Sequence, residues 1–211
     1  MTGEEKLRGA ICGYVLAGGT SSRFGSDKAL ARLGGETVLS RMCTLIESAA
    51  GSVSVVAAAG RYPDFRAVTV PDRWPGEGPL GGIIAALRAT AEANGGEWNL
   101  IVSCDMPFLT REWLSHVVKL ALASESEVIV PRSEHGLEPL CACWRSSATA
   151  KLQDAFDAGV RKVTEAMKRL RMEVLDETHW KRFDTAGKLF WNMNARQDYE
   201  EAVRIWRREH E

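Results

Sequence analysis

Ile11-Cys12-Gly13-Tyr14-Val15-Leu16-Ala17, broken off at Gly18-Gly19, is the stretch that decides the fold. A short apolar run ended by glycines reads as a buried strand entering a loop. Outward from it, residues 38–50 carry Val38, Leu39, Met42, Leu45, Ile46 and Ala49 at the i, i+3, i+4, i+7 spacing of an amphipathic helix. Residues 52–58 are Val-rich and read as a second buried strand, and residues 67–70 as a third, ended by Pro71-Asp72. A Gly/Pro loop over residues 74–82 precedes a helix marked by Ile83, Ile84, Leu87 and Ala91. Leu100 to Cys104 is the next strand, ended by Asp105-Met106-Pro107, and Thr110 is placed to cap a helix over residues 112–123. Residues 128–130 form a further strand. Parallel strands need crossover connections, so this alternation predicts an α/β fold, a mostly parallel sheet flanked by helices.

Beyond residue 131 the pattern loosens. Residues 140–144 read as a strand, residues 151–172 as helix with a break at Gly159, and residues 172–175 and 189–193 as late strands. Residues 198–208 close the chain as a helix. With no linker, repeat or second core, residues 1–211 are expected to form a single domain.

Composition narrows the function classes. Lys plus Arg number 27 against 28 for Asp plus Glu, a balance that does not point to a nucleic-acid partner. No apolar run approaches the ~18 residues of a membrane span. The opening Met1-Thr2-Gly3-Glu4-Glu5-Lys6 lacks the basic-then-apolar order of a secretory signal. Cys12, Cys43, Cys104, Cys141 and Cys143 are odd in number and form no CxxC pair, so reduced core thiols in a cytoplasmic protein are expected. The four histidines are scattered without metal-ligand spacing.

In an open parallel sheet, ligands bind beyond the carboxyl ends of the strands. Three such ends carry polar residues: Gly18 through Lys28, Asp72 with the loop after it, and Asp105. Glycines let a backbone approach a ligand and aim N–H groups at it, and Arg23 and Lys28 add positive charge. That combination suits a polyphosphate; it is equally the composition of a glycine-rich turn with two solvated cations. Neither G-x-x-x-x-G-K-[ST] nor G-x-G-x-x-G is present, which disfavours a P-loop ATPase and a dinucleotide dehydrogenase. Asp105, a carboxylate at a strand end, is the best placed to hold Mg²⁺, which takes one or two carboxylates with phosphate oxygens and water.

Leu16-Ala17-Gly18-Gly19-Thr20-Ser21-Ser22-Arg23-Phe24-Gly25-Ser26-Asp27-Lys28 resembles the L-A-G-G-x-S-x-R-M-G-x-D-K signature of nucleotidyltransferases. Three further blocks follow in the same order: Asp72 with Pro75-Gly76 and Gly78-Pro79-Leu80-Gly81-Gly82, Cys104-Asp105-Met106-Pro107-Phe108-Leu109, and Asn192-Met193-Asn194. Together they are similar to the molybdenum cofactor guanylyltransferase family. Phe24 stands where that family usually has Met, Ala195-Arg196 where it has Thr-Pro, and Ala57-Ala58-Ala59 where it often has an Asn.

The resemblance implies a Rossmann-like nucleotidyltransferase domain, with residues 9–125 as its nucleotide-binding half and 126–211 as its cofactor-substrate half. It implies transfer of GMP from GTP to the terminal phosphate of molybdopterin, with Mg²⁺ as cofactor. Arg23, Lys28 and Asp105 would be catalytic, with Asp105 on the metal and against the nucleotide. Leu16, Ala17, Gly18, Gly19, Lys28, Asp72, Gly78, Leu80 and Gly82 would face the nucleotide, and Asn192 and Asn194 the molybdopterin side. Asn194 could instead cap the last helix, with Gln197 completing a capping box. A CTP-dependent enzyme and a nucleotide-binding module without catalysis are the competing functions. Neither nucleic acid nor membrane is an expected partner, whereas transient contact with cofactor-biosynthesis or acceptor proteins is.

Overall fold

The computed structural model describes residues 10–18 and 27–210, the side chains of 209 and 210 excepted. Gly19 and Arg23 therefore lie outside the described residues.

β1 (Ile11–Leu16) sits inside the sheet, parallel to β4 (Ser54–Ala57) on one side and to β6 (Trp98–Ser103) on the other. Its side chains alternate between faces: Ile11 and Val15 enter one core, Tyr14 and Leu16 the other. β5 (Val68–Pro71) adds to β4 as the edge. Beyond β6 lie β9 (Cys141–Arg145), β7 (Val128–Ser133) and β10 (Met172–Leu175), giving the order β10-β7-β9-β6-β1-β4-β5. β9 runs antiparallel to both neighbours and β10 parallel to β7, so the sheet is mixed but mostly parallel. The short β8 (Gly136–Leu137) pairs with β7, and β2 (Arg32–Leu33) with β3 (Glu36–Thr37) forms a separate ribbon.

α1 (Val38–Ala50) and α3 (Arg111–Ala123) cover one face, joined there by α7 (Arg196–His210) through Ala202. α2 (Pro79–Glu92), α4 (Thr149–Asp157) and α5 (Val163–Ala166) cover the other. Thr37 and Thr110 cap α1 and α3 by accepting from Ser40 and Trp113 N–H. Gly13 is required: a Cβ there would strike Ile46 Cγ2 and the Ser52 carbonyl, so only glycine lets α1 lie this close to β1. No described helix is long and apolar enough to cross a membrane. All five cysteines are free thiols, four of them buried.

Several boundaries depart from expectation. α2 starts at Pro79, inside the stretch expected as loop, because a proline fits the first turn of a helix where no N–H is needed. The helical span expected over 151–172 ends at Asp157, and Gly159 at φ +87° turns the chain into the short α5. Residues 189–193 are not a strand. Leu189, Phe190 and Met193 are buried and Trp191 half-buried, but Asp184 Oδ1 takes the N–H groups of Lys188 and Leu189, and Trp191 N–H bonds to Lys188 O. Asn194 does not cap α7; Asp198 Oδ2 accepts from the N–H groups of both Asn194 and Ala195, so Gln197 completes no capping box.

Candidate active site

Three strand ends are stitched into one rim. Ala17 N–H bonds to Val56 O, Asp72 N–H to Ala57 O, and Cys104 N–H to Leu16 O, at 2.9, 2.8 and 3.1 Å. Gly18, Asp72 and Asp105 thus come together, as the alternating pattern required. They border a cavity of about 290 Å³ lined by Leu16, Gly18, Lys28, Val56, Asp72, Gly76, Gly78, Pro79, Gly82, Ser103, Asp105 and Leu140.

Of the residues expected to face a nucleotide, Leu16, Gly18, Lys28, Asp72, Gly78, Gly82 and Asp105 line this cavity. Ala17 and Leu80 do not: their side chains are buried in opposite cores.

Lys28 Nζ donates to Asp105 Oδ2 at 2.5 Å. Asp105 is only 8% exposed, and its second oxygen, Oδ1, has no hydrogen-bond partner among the described residues. A buried carboxylate oxygen without a donor is costly unless something fills its place. The described residues hold no group of three or more His, Cys, Asp or Glu that could grip a metal alone. One free carboxylate oxygen on a cavity wall fits Mg²⁺, whose other positions are taken by phosphate oxygens and water.

The start of α2 also lines this cavity. Gly78, at φ +91°, leads into Pro79; no side chain caps the helix and its first turn carries no acid. The unpaired N–H groups and positive dipole end of such a terminus favour an anion. Asp72 holds the loop leading there: its Oδ1 accepts from Trp74 N–H at 2.9 Å. A Cβ on Gly18 would lie 3.7 Å from Asp72 Oδ2, so Gly18 leaves that approach to the carboxylate open.

Asp27, quoted in the motif but given no role from sequence, anchors Lys28. Its Oδ1 accepts from Ala29 N–H, and its Oδ2 from Arg61 Nε and Tyr62 Oη at 3.1 and 2.9 Å. Burial, then the Asp27 charge, pushes the Tyr62 phenol well above its ordinary value, so it remains a donor. Position beside Lys28 was the only sequence signal for Asp27; Arg61 and Tyr62 had none.

The thiol next to Asp105 is not an activated nucleophile. Cys104, beside Asp105, is pushed to about 12, chiefly by burial. Glu138 is raised by burial, with the Asp105 charge adding to it and the Ser133 hydroxyl bond opposing.

Asn192 and Asn194 line a different and larger cavity, about 940 Å³, with Arg132, Lys181, Lys188 and Trp191 among its walls. Met193 N–H, between the two asparagines, donates to Asp105 O at 2.8 Å. The segment bordering the large cavity is thereby tied to the backbone of Asp105, which borders the small one. The Lys28–Asp105 pair lies on the smaller cavity, not on this one.

The family model for the MobA-like NTP transferase domain matches residues 13–172. A relative named molybdenum cofactor guanylyltransferase, from Desulfosudis oleivorans, is 29% identical over 92% of this chain and 94% of its own. The crystal structure of molybdopterin-guanine dinucleotide biosynthesis protein A from Archaeoglobus fulgidus superposes with a TM-score of 0.81 at 25% identity, covering 93% of this chain and 99% of that one. The Rv0371c protein of Mycobacterium tuberculosis, solved in complex with manganese, shares the fold, with a TM-score of 0.62 at 17% identity over 92% of this chain and 98% of its own.

Proposed function

The chain belongs to the MobA-like NTP transferase domain family and is a nucleotidyltransferase, and on that footing we propose that it transfers GMP from GTP to the terminal phosphate of molybdopterin. The observation that carries this reading is the Lys28–Asp105 pair, with one carboxylate oxygen unpartnered among the described residues, on a cavity that the start of α2 also lines.

A terminal phosphate oxygen of molybdopterin forms a bond to the α-phosphorus of GTP. The bond from that phosphorus to the bridging oxygen breaks, and pyrophosphate leaves with the electron pair. A phosphate monoester has a second pKa near ~6 and is already anionic at neutral pH, so no general base is required. This agrees with a cavity whose one nearby thiol is kept neutral. What the enzyme supplies is alignment of two polyanions and relief of their repulsion.

Lys28 and Arg23 neutralise developing phosphate charge, and the N–H groups at the start of α2, with Gly18 and Gly19, bind the nucleotide. Leu16, Ala17, Asp72, Gly78, Leu80 and Gly82 shape its site by contact or from behind. Asp105 would hold Mg²⁺ through Oδ1, and the ion would supply charge neutralisation on the triphosphate. Asn192 and Asn194 face molybdopterin from the larger cavity, where Arg132 and Lys188 suit an anionic substrate. Residues 9–125 form the nucleotide half and 126–211 the acceptor half, a division supported by the large cavity being walled wholly by residues 132–194. Free thiols suit the reducing cytoplasm, where transient contact with cofactor-biosynthesis or acceptor proteins is expected.

Pyrophosphate release with each of the four ribonucleoside triphosphates, Mg²⁺ and molybdopterin tests the reading. GTP-selective release is expected. Selectivity for CTP would make it a cytidylyltransferase, and nucleotide binding without turnover would leave a binding module.

A further inference from the structure

Arg161 and Lys162 stand in the acceptor half as a pair of cations that the sequence leaves equally as anion contacts or surface charges. The structure uses Arg161 in an unexpected direction. Its guanidinium reaches across to the nucleotide half and grips Glu77, with Nε to Oε2 at 2.7 Å and the terminal nitrogen at 2.6 Å. It is itself held in place: another nitrogen donates to Phe156 O at 2.7 Å, and the guanidinium carbon lies 3.8 Å from the Phe156 ring centroid. Phe156 in turn packs on Trp74, with centroids 4.9 Å apart.

The segment pinned by these contacts runs from Asp72, fixed at one end by its bond to Trp74 N–H, to Gly78 at the other. Gly76, Gly78 and Pro79 are cavity walls. The Arg161 carbonyl lies 3.8 Å from where a Cβ on Gly78 would sit, so the same residue backs the turn into α2. A loop with glycines at φ +88° and +91° has little stiffness of its own, and its shape must come from such anchors.

We propose that Arg161 is a positioning residue for the nucleotide cavity, a latch that closes on Glu77 and fixes the Gly76–Gly78 wall against which the nucleotide binds. The inference rests on the small cavity being the GTP site. An ion pair in which two guanidinium nitrogens share one carboxylate oxygen, with the guanidinium stacked on an aromatic ring, is worth about a five- to tenfold effect when its alternative is a mobile loop. It touches no reacting atom, so the effect belongs in binding and not in the chemical step.

The test is steady-state kinetics and calorimetric GTP binding for Arg161→Ala, Glu77→Gln and the charge-swapped pair Glu77→Arg with Arg161→Glu. Arg161→Ala should raise the KM and Kd for GTP about five- to tenfold with kcat within about twofold of the parent, and Glu77→Gln should follow in the same direction by about threefold. The swapped pair should recover part of the lost affinity. Glu77→Gln leaves the bonds that Arg161 donates to the Phe156 carbonyl at 2.7 Å and the Val160 carbonyl at 3.2 Å in place, so it keeps the test open if Arg161→Ala folds poorly. An unchanged GTP affinity in Glu77→Gln, or a rise confined to the KM for molybdopterin, would overturn the latch. A parent protein that fails to bind GTP would instead overturn the assignment of the cavity.

Discussion

Lys28 and Asp105, 77 residues apart in sequence, meet at 2.5 Å on the wall of one cavity, and among the described residues only one oxygen of the carboxylate has a partner. A carboxylate buried for stability alone would have both oxygens satisfied. Here Lys28 partners Oδ2, and under the proposed function Oδ1 would hold the metal ion.

Removing the carboxylate should therefore separate catalysis from folding. Asp105→Asn is expected to lower kcat by about 10²–10³-fold, as loss of an electrostatic anchor in the transition state does. The cost in stability should be within about 1–3 kcal/mol, since Lys28 loses its charged partner. Denaturant unfolding and pyrophosphate release measure the two halves of this expectation. Near-parental turnover in a folded Asp105→Asn protein would remove Asp105 as the metal ligand.

Lys28 should behave differently when shortened than when replaced by another cation. Lys28→Met removes the positive charge, and turnover should fall by about 10²-fold or more. Lys28→Arg keeps the charge but not the compact ammonium geometry, and should retain an intermediate rate. Equal loss in both variants would mean that shape, not charge, is what the site requires.

Asp27 and Tyr62 should matter through Lys28. Tyr62→Phe deletes the 2.9 Å bond to Asp27 Oδ2 while leaving both the Arg61 contact and the ring in place. The expectation is a loss of about 1 kcal/mol in stability and a several-fold fall in kcat that Asp27→Asn exceeds. A Tyr62→Phe protein indistinguishable from the parent in both would show that the arm holding Lys28 is rigid without it.

Acid stability has its own marker away from the site. Glu127 is held below its ordinary value of 4.5, first by the Arg171 backbone N–H and then by Lys151. A depressed carboxylate stabilises the fold above its unfolded pKa, and that contribution is lost as pH falls through the folded one. Unfolding free energy should thus drop on acidification below about pH 4.5, and Glu127→Gln should flatten that part of the profile while lowering stability near neutrality. A parallel profile in the variant would assign the acid sensitivity elsewhere.

Much of this molecule can be read from its sequence, and what cannot has definite physical causes. The strand Ile11–Leu16 and the helix Val38–Ala50 declare themselves because burial imposes a period, one-sided or complete, on local sequence. Residues 189–193 are apolar for the same reason but satisfy their backbone through Asp184 and a turn, which composition does not reveal. Bringing Gly18, Asp72 and Asp105 to one rim followed from parallel topology alone. The open Oδ1 of Asp105 and the grip of Arg161 on Glu77 depend on contacts between residues 77 and 84 positions apart, and no local pattern encodes those.

Label transfer from GTP tests the central claim most directly. With molybdopterin and Mg²⁺, GTP carrying ³²P at the α-position should place its label in the pterin product, and GTP labelled at the γ-position should release it all as pyrophosphate. Label from the γ-phosphate in the product would mean phosphoryl rather than guanylyl transfer. No label from either would contradict the assignment of the Lys28–Asp105 cavity as a nucleotidyl-transfer site.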